Sequence, residues 1–385
     1  MKRVGFVFEK VVEIDNIKKA IVNASKRKTD RRNVQKILNN IDFYAKQIQD
    51  MLINDSYIPC KYIEKVIKDG ANKKERTIFK PSFYPDQCIH WAIMLQMEPI
   101  LERGMYQYCC ASVKGRGTHY GERYVKRILK NKEETKYCLQ LDIRHFYPSI
   151  DKEKLKEKFI KIIKDPKILN LIFKIIDSAE EGVPIGNYTS QWFANFYLQD
   201  FDHFVKEKLH VKYYIRYMDD IVIFSNDKRR LKDIKNAIEA FLEEEGLELK
   251  GNWKLFLTDS RPLDFLGFRF YRDHITLRRR NALRIKRRVK KIKKRFLEKG
   301  FIRLEDASAM VSYFGWIKNS NSYNYYMKNI SSYITLRQCK EVIRNESNFR
   351  CKTRKARVRK QGWWHDRCNN QYQHRRNRGF WWRRK

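Results

Sequence analysis

Acidic residues are scarce in this 385-residue chain relative to their opposites. Its 45 Asp and Glu stand against 84 Lys and Arg, a formal net charge of +39. A surplus of that size calls for a polyanionic partner. Long apolar runs are also missing: none approaches the ~18–20 residues that a membrane span needs. The segment Met1-Lys2-Arg3-Val4-Gly5-Phe6-Val7-Phe8 lacks a signal-peptide core. Nucleic acid therefore fits the charge better than a membrane surface, and a cytoplasmic setting is expected. The eight cysteines are scattered through segments that read as packed core, which suits a reduced compartment. Zinc-type spacing is wanting too. Of Cys351, His365, Cys368 and His374, only His365 and Cys368 approach the two-to-four-residue pairing of such sites, so solvated tail residues are the default reading. No internal repeat emerges.

The positive charge is concentrated. Residues 276–300 carry 13 Lys and Arg against Glu298 alone, and residues 350–385 carry 14 against Asp366 alone. The interior between about 135 and 275 is far closer to balance. Helical periodicity runs through 16–54, with Asp15 and Asp30 as expected caps. Residues 58–80 read as strands around a basic turn at Lys68–Arg76, followed by a helix from Asp86 to about Leu101. Asp151 opens another helix, and Thr189 or Ser190 caps one running through Ala194, Tyr197 and Phe201. Helix returns over 228–245. Trp253 to Tyr271 reads as two strands joined by a turn at Ser260-Arg261-Pro262, and the remainder to about 345 as basic helix. The Arg- and Trp-rich tail has the composition of a segment ordered by its partner.

Within the balanced interior lies Tyr217-Met218-Asp219-Asp220, flanked by Lys212–Arg216 and by Ile221-Val222-Ile223-Phe224. Apolar and β-branched residues on both sides predict two strands with the acidic pair at their turn. Upstream, Tyr137-Cys138-Leu139-Gln140-Leu141 leads into Asp142. Carboxylates on neighbouring strand ends are hard oxygen ligands for Mg²⁺, and two such points can hold two ions about 3.5–4 Å apart for in-line phosphoryl transfer. Three turn or capping aspartates are the plain alternative. Adjacent acids between apolar strands repel each other unless a cation compensates.

The order of these motifs resembles reverse transcriptases over roughly residues 55–275. Asp142 in Leu141-Asp142-Ile143-Arg144-His145-Phe146-Tyr147 resembles the first catalytic strand. Gly186 in Pro184-Ile185-Gly186-Asn187 resembles the nucleotide-proximal turn, and Tyr217–Asp220 the signature hairpin. Trp253-Lys254 and Asp264-Phe265-Leu266-Gly267-Phe268 resemble the two motifs that follow, the second being the primer grip. The resemblance implies an α+β right-hand polymerase. Its parts would be an N-terminal helical extension over 1–54, fingers over 55–135, a palm with an antiparallel sheet and helices over 136–275, a basic helical thumb over 276–349, and the tail over 350–385. Most of the family has Gln before the glycine and Ser-Pro after it; here stand Ile185 and Ser190-Gln191. That departure, with Lys114-Gly115-Arg116-Gly117-Thr118-His119, is similar to the enzymes of diversity-generating retroelements, which copy RNA into cDNA with errors opposite adenine beside a small basic accessory protein. Many relatives carry Arg after the Asp of the second finger motif, whereas Gln87 follows Asp86 here. The Asn-Ala-x-x-His and Val-Thr-Gly motifs of retron enzymes are not found.

The resemblance implies roles residue by residue. Asp142 and Asp219 would bridge two Mg²⁺ ions (Mn²⁺ as a substitute) with the carbonyl of Ile143, and Asp220 would complete the patch. Tyr147 would exclude a ribose 2′-hydroxyl unless Phe146 faces the site instead. Arg76 and Lys80 are candidate triphosphate contacts. Gly186, Ile185 and Gln191 would line the nucleotide site. Lys114 and Arg116 would meet template phosphate, Met218 the primer terminus, and Leu266 with Gly267 the primer strand. Lys254 would be the general acid for departing pyrophosphate. Surface lysines, a hairpin glycine and core aromatics are the competing readings. RNA template, DNA or RNA primer and dNTPs are the implied partners. Rival readings are a defence-associated reverse transcriptase, an RNA-binding scaffold without catalysis, and a viral-type RNA polymerase. Isoleucine at 185 offers packing but no hydrogen bond, and ~1.4 kcal/mol of lost discrimination is a tenfold rise in error. Ile185→Gln is thus expected to lower misincorporation in sequenced products; an unchanged error spectrum removes this explanation.

Overall fold

The run Ile221–Phe224 is apolar at every position, so both faces of that strand must be covered. A computed structural model, describing residues 3–69 and 74–345, shows how. Helices α1 (Val7–Val12), α2 (Ile14–Ser25), α3 (Arg32–Asn39) and α4 (Ile41–Ile53) precede a hairpin of β1 (Ile63–Asp69) and β2 (Lys74–Lys80). Helices α5 (Cys88–Glu102) and α6 (Thr118–Ile128) lead to β3 (Tyr137–Asp142). Then come α7 (Lys152–Ile162), α8 (Pro166–Asp177), α9 (Tyr188–Tyr197), α10 (Gln199–His203), β4 (Tyr213–Tyr217), β5 (Asp220–Ser225) and α11 (Lys228–Glu244). Strands β6 (Lys254–Leu257), β7 (Leu263–Phe265), β8 (Phe268–Phe270) and β9 (Ile275–Leu277) follow, then α12 (Arg279–Lys299), α13 (Leu304–Lys318) and α14 (Tyr323–Tyr326).

The central sheet has the order β4-β5-β3-β6 and is antiparallel throughout. Leu139, Leu141, Ile221 and Ile223 on one face join the main core with Phe159 of α7, Phe193 of α9 and Ile238 of α11. The opposite face meets α6 at Gly121, where a Cβ would stand 3.2 Å from Ile215 Cδ1 and 2.6 Å from Leu266 Cδ1. No side chain fits there without repacking. This is an α+β fold built on an antiparallel central sheet.

Several expected boundaries move. Asp15 lies inside the first turn of α2, because that helix starts directly after α1 behind Glu13; Arg31, not Asp30, precedes α3. Helix α9 begins at Tyr188 behind Asn187, which stands two residues ahead of Thr189 and three ahead of Ser190, the expected caps. Asp151 does cap α7, accepting from Glu153 N at 2.9 Å and Lys154 N at 3.1 Å. The turn at Ser260-Arg261-Pro262 joins strands of different sheets: β6 pairs with β3, whereas β7 pairs with β8 around Leu266-Gly267. The basic tail and its Cys/His cluster lie outside the described residues, as does part of the turn after β1.

The chain divides into two compact units, Met1–Ile275 and a second beginning at Thr276. In the second, Ile285, Val289 and Ile292 form the buried stripe of α12, and Ala307, Met310, Phe314 and Ile317 that of α13. Gly300 ends α12 with φ 68°, the left-handed cap that glycine tolerates. Buried Asp306 ties the two helices, approached by Arg288 Nε at 2.6 Å and by Arg295 Nη1. The other cations of α12 mostly face solvent. Among the described residues no helix is long and apolar enough to cross a membrane. Asp306→Ala should destabilise the second unit by about 1.5–3 kcal/mol, the range for hydrogen bonds to charged groups; an unchanged melting curve would contradict this packing role.

Candidate active site

The register of two strands brings the acids together. In β3 and β5, Tyr137 faces Ser225 and the pairing runs to Asp142 opposite Asp220. The β4–β5 hairpin pairs Tyr217 with Asp220, leaving Met218-Asp219 as its two-residue turn. Such turns need positive φ, and Met218 takes it at 54°. A non-glycine residue there costs roughly 1–2 kcal/mol and persists only where its surroundings over-determine it. Here Arg216 Nη1 donates to the Met218 carbonyl at 3.1 Å, and Ile143 N donates to the Asp219 carbonyl at 3.2 Å.

Electrostatics mark the same spot. Burial pushes the Asp219 carboxyl above the usual carboxylate range, and the neighbouring charge of Asp142 adds to the shift; Lys250 and Arg76 pull the other way. The Lys250 ammonium sits on Asp142 Oδ1, and Lys250 N donates to the Asp142 carbonyl at 2.8 Å. Burial, with the Asp219 charge second, pushes the Tyr147 phenol up to about 12. Tyr147 lines the cleft with its hydroxyl 3.7 Å from Met218 Sδ, while Phe146 is buried in the core. Phe146 also borders the cleft but is 3% exposed and packs in the core, so the half-buried Tyr147 presents the more accessible ring there.

These groups floor a cleft of about 1590 Å³. Arg76, Ile185, Gly186, Gln191, Met218 and Lys250 also line it. Gly186 has φ 136°, and a Cβ there would stand 2.2 Å from the Phe79 carbonyl. Strand β2 thus closes onto this turn, with Phe79 N donating to the Ile185 carbonyl at 2.8 Å. Ser112 Oγ holds the Gln191 side chain at 3.0 Å.

Other candidates are placed elsewhere. Lys254 is exposed at the start of β6, opposite Gln140, and is not among the residues lining the cleft. Lys250, four residues earlier, occupies the position beside the acids. The sequence carries it in Leu249-Lys250-Gly251-Asn252, directly before Trp253-Lys254. Lys80 is exposed and lies near Lys28 rather than in the cleft lining. Arg116 turns inward, donating to the Tyr106 carbonyl at 3.1 Å and pairing with Glu102 at 3.4 Å. Lys114 is exposed next to Gly115. Leu266 at φ 51° and Gly267 at φ 84° form the β7–β8 turn, with Leu266 against α6. Where many relatives carry Arg, Gln87 accepts a hydrogen bond from Lys28 Nζ and donates to the Pro81 carbonyl at 2.9 Å.

Among the described residues no three His, Cys, Asp or Glu side chains form a ready-made metal cage. Magnesium does not require one, since it is commonly held by one or two carboxylates plus substrate phosphates. The carboxylates of Asp142 and Asp219 are hard oxygen donors of the kind it takes, and the Lys250 ammonium on Asp142 is a cation that an incoming ion would have to displace.

A family model described as reverse transcriptase (RNA-dependent DNA polymerase) matches residues 66–270, more than half of the chain. The chain belongs to the reverse transcriptase family, RNA-directed DNA polymerases of the nucleotidyltransferase class. It is similar to the retron Ec73 reverse transcriptase of Escherichia coli, with 27% identity over 67% of this chain and 83% of that protein. Similarity extends to the retron Se72 reverse transcriptase of Salmonella heidelberg (strain 579083-10), 26% identical over 47% of this chain and 45% of that one. Protein YkfC of Escherichia coli (strain K12) is 25% identical over 42% of this chain and 45% of its own length. Superposition on a Candida albicans telomerase in complex with a fragment of telomeric RNA gives a TM-score of 0.44 at 13% identity, over 71% of this chain and 55% of that chain.

A pH signature follows from Asp219. Its raised folded pKa means that the metal-free folded state holds a proton which the unfolded chain releases. Stability therefore falls as pH rises from the ordinary carboxylate pKa through the folded one, and stays lower above it. Asp219→Asn should raise the melting temperature of the metal-free protein at neutral pH, with the gain vanishing in acid. A lower melting temperature at both pH values would contradict the like-charge reading.

Proposed function

We propose that this chain copies an RNA template into DNA as the polymerase of a bacterial retroelement, working in the cytoplasm. The observation carrying this reading is the gathering of Asp142, Asp219 and Asp220 by the β3–β5 register on the floor of the cleft. Asp142 and Asp219, with the Ile143 carbonyl and Asp220 beside them, would hold two Mg²⁺ ions. When bound, these supply activation of the primer hydroxyl and neutralisation of charge on departing pyrophosphate. Tyr147 places a ring against Met218, where it would crowd a ribose 2′-hydroxyl and favour dNTPs. Arg76 acts from the fingers as a triphosphate contact. Lys250, rather than Lys254, is positioned to hold a proton near the acids, and its ammonium meanwhile shields Asp142.

Similarity to two retron enzymes supports a bacterial retroelement polymerase of that broad kind. Ile185 before Gly186 and Ser190-Gln191 after it support a second, error-prone reading, that of a diversity-generating retroelement with a small basic accessory protein. Ile185 lines the cleft with a side chain that packs and cannot hydrogen-bond.

The test is extension of a primer on a defined RNA with all four dNTPs or all four rNTPs, followed by sequencing. Templated DNA with errors concentrated opposite adenine would favour the second reading, and accurate DNA the first. Synthesis independent of added template would favour a defence-associated enzyme, and preference for rNTPs would overturn the DNA polymerase assignment. Tyr147→Ala should erode dNTP preference by at least ~10-fold, equivalent to ~1.4 kcal/mol; unchanged discrimination would remove Tyr147 from that role.

A further inference from the structure

A guanidinium is a group that almost never goes fully inside unless paired, yet Arg216 is 0% exposed, and its partner Asp202 is 1% exposed. The pair is bidentate: Nη2 reaches Asp202 Oδ2 at 2.5 Å, and Nε reaches Oδ1 at 2.7 Å. The remaining capacity is spent on the acidic turn and its supports. Nη1 donates to the Met218 carbonyl at 3.1 Å and to Asn195 Oδ1 at 3.2 Å, and Nη2 donates to Cys109 Sγ at 3.4 Å. Tyr214 Oη donates to Asp202 Oδ1 at 2.5 Å. The Arg216 backbone is fixed as well, donating to the Tyr108 carbonyl at 3.1 Å and accepting from Cys110 N at 2.9 Å.

A buried ion pair is a poor device for stability alone, because well-packed apolar residues of similar volume commonly do as well or better. Geometry is what a fork of fixed donors supplies that methyl groups do not. Its target is the carbonyl of a strained residue one position before Asp219. The next carbonyl, that of Asp219, is held from the other side by Ile143 of the segment that carries Asp142. Two consecutive peptide groups are thus pinned, one by Arg216 of the same hairpin, itself braced by Asp202 of α10 and Asn195 of α9, and one by Ile143 just after the neighbouring strand.

We propose that Arg216 and Asp202 are positioning residues for catalysis. By holding the Met218 carbonyl, the pair sets where the Asp219 and Asp220 carboxylates stand relative to Asp142. It does so from behind the sheet, outside the cleft. The inference rests on the reading of Asp142 and Asp219 as metal-holding carboxylates and adds the device that sets their spacing. Lysine at 216 would keep the charge, but its single ammonium cannot bond Asp202 twice and reach the Met218 carbonyl as well.

The test uses the full chain with Arg216→Lys and with the apolar double replacement Arg216→Met/Asp202→Leu. Each is measured for melting temperature, template–primer affinity, kcat, KM for dNTP, and the rise in melting temperature that Mg²⁺ produces without substrate. Both variants are expected to keep template–primer affinity and KM within about threefold. Their kcat should fall more than tenfold, and the Mg²⁺ concentration giving half the thermal shift should rise severalfold. A double variant that folds with wild-type kcat and Mg²⁺ response would overturn the proposal. If the double variant does not fold, Arg216→Lys decides alone: wild-type kcat and Mg²⁺ response there reduce the pair to a structural one. Asp219→Ala, run in parallel, separates this failure from that of the site itself. Synthesis surviving in Asp219→Ala would remove the underlying reading, whatever Arg216 does.

Discussion

The molecule is organised around one electrostatic constraint: two strand ends bring like charges together, and the fold must keep them there. The β3–β5 register puts Asp142 opposite Asp220, and the hairpin turn adds Asp219 beside Asp142. Left alone, such groups would protonate or move apart. Burial of Asp219 makes the conflict sharper, since desolvation and the Asp142 charge both disfavour its ionised form. Local compensation comes from Lys250 on Asp142 and from the field of Arg76. A cation bound between the carboxylates, as proposed above, would relieve the remaining conflict.

Everything near the acids serves their placement. The continuous apolar run of β5 buries both faces of the strand, and its pairing with β3 and β4 sets Asp220 opposite both Asp142 and Tyr217. The strained Met218 is held at its carbonyl by a guanidinium, and Gly186 lets the β2 strand close directly on the turn that edges the cleft. Net basic charge is a separate layer of design. It is densest on α12, and a polyanion bound there would be held less tightly as salt rises.

Much of this was legible in the sequence because it depends on local pattern. Apolar runs flanking Asp219-Asp220 gave the hairpin, and the order of the motifs gave the family. The Asp142 strand was readable from the run Tyr137-Cys138-Leu139-Gln140-Leu141 that leads into the acid. What was not legible depends on register and on which way a long side chain turns. Lys250 and Lys254 are both lysines near a strand, and only the pairing of β6 with β3 separates them. Arg116 reads as a template contact until its guanidinium is seen on the Tyr106 carbonyl. Asp202 and Arg216 are fourteen residues apart with no motif to join them, so their pairing is a property of the folded chain. Helix starts shifted by a residue or two where one helix follows another directly, as at Glu13, because cap chemistry gives way to chain continuity there.

The central question is whether the carboxylates of the turn perform synthesis or merely shape a binding cleft. The most direct measurement is single-turnover incorporation of one dNTP on a preformed RNA template–primer complex, comparing wild type with Asp219→Ala/Asp220→Ala at equal occupancy. The account predicts unchanged template–primer binding and incorporation reduced to background at every Mg²⁺ concentration. Incorporation within a few-fold of wild type in the variant would contradict it.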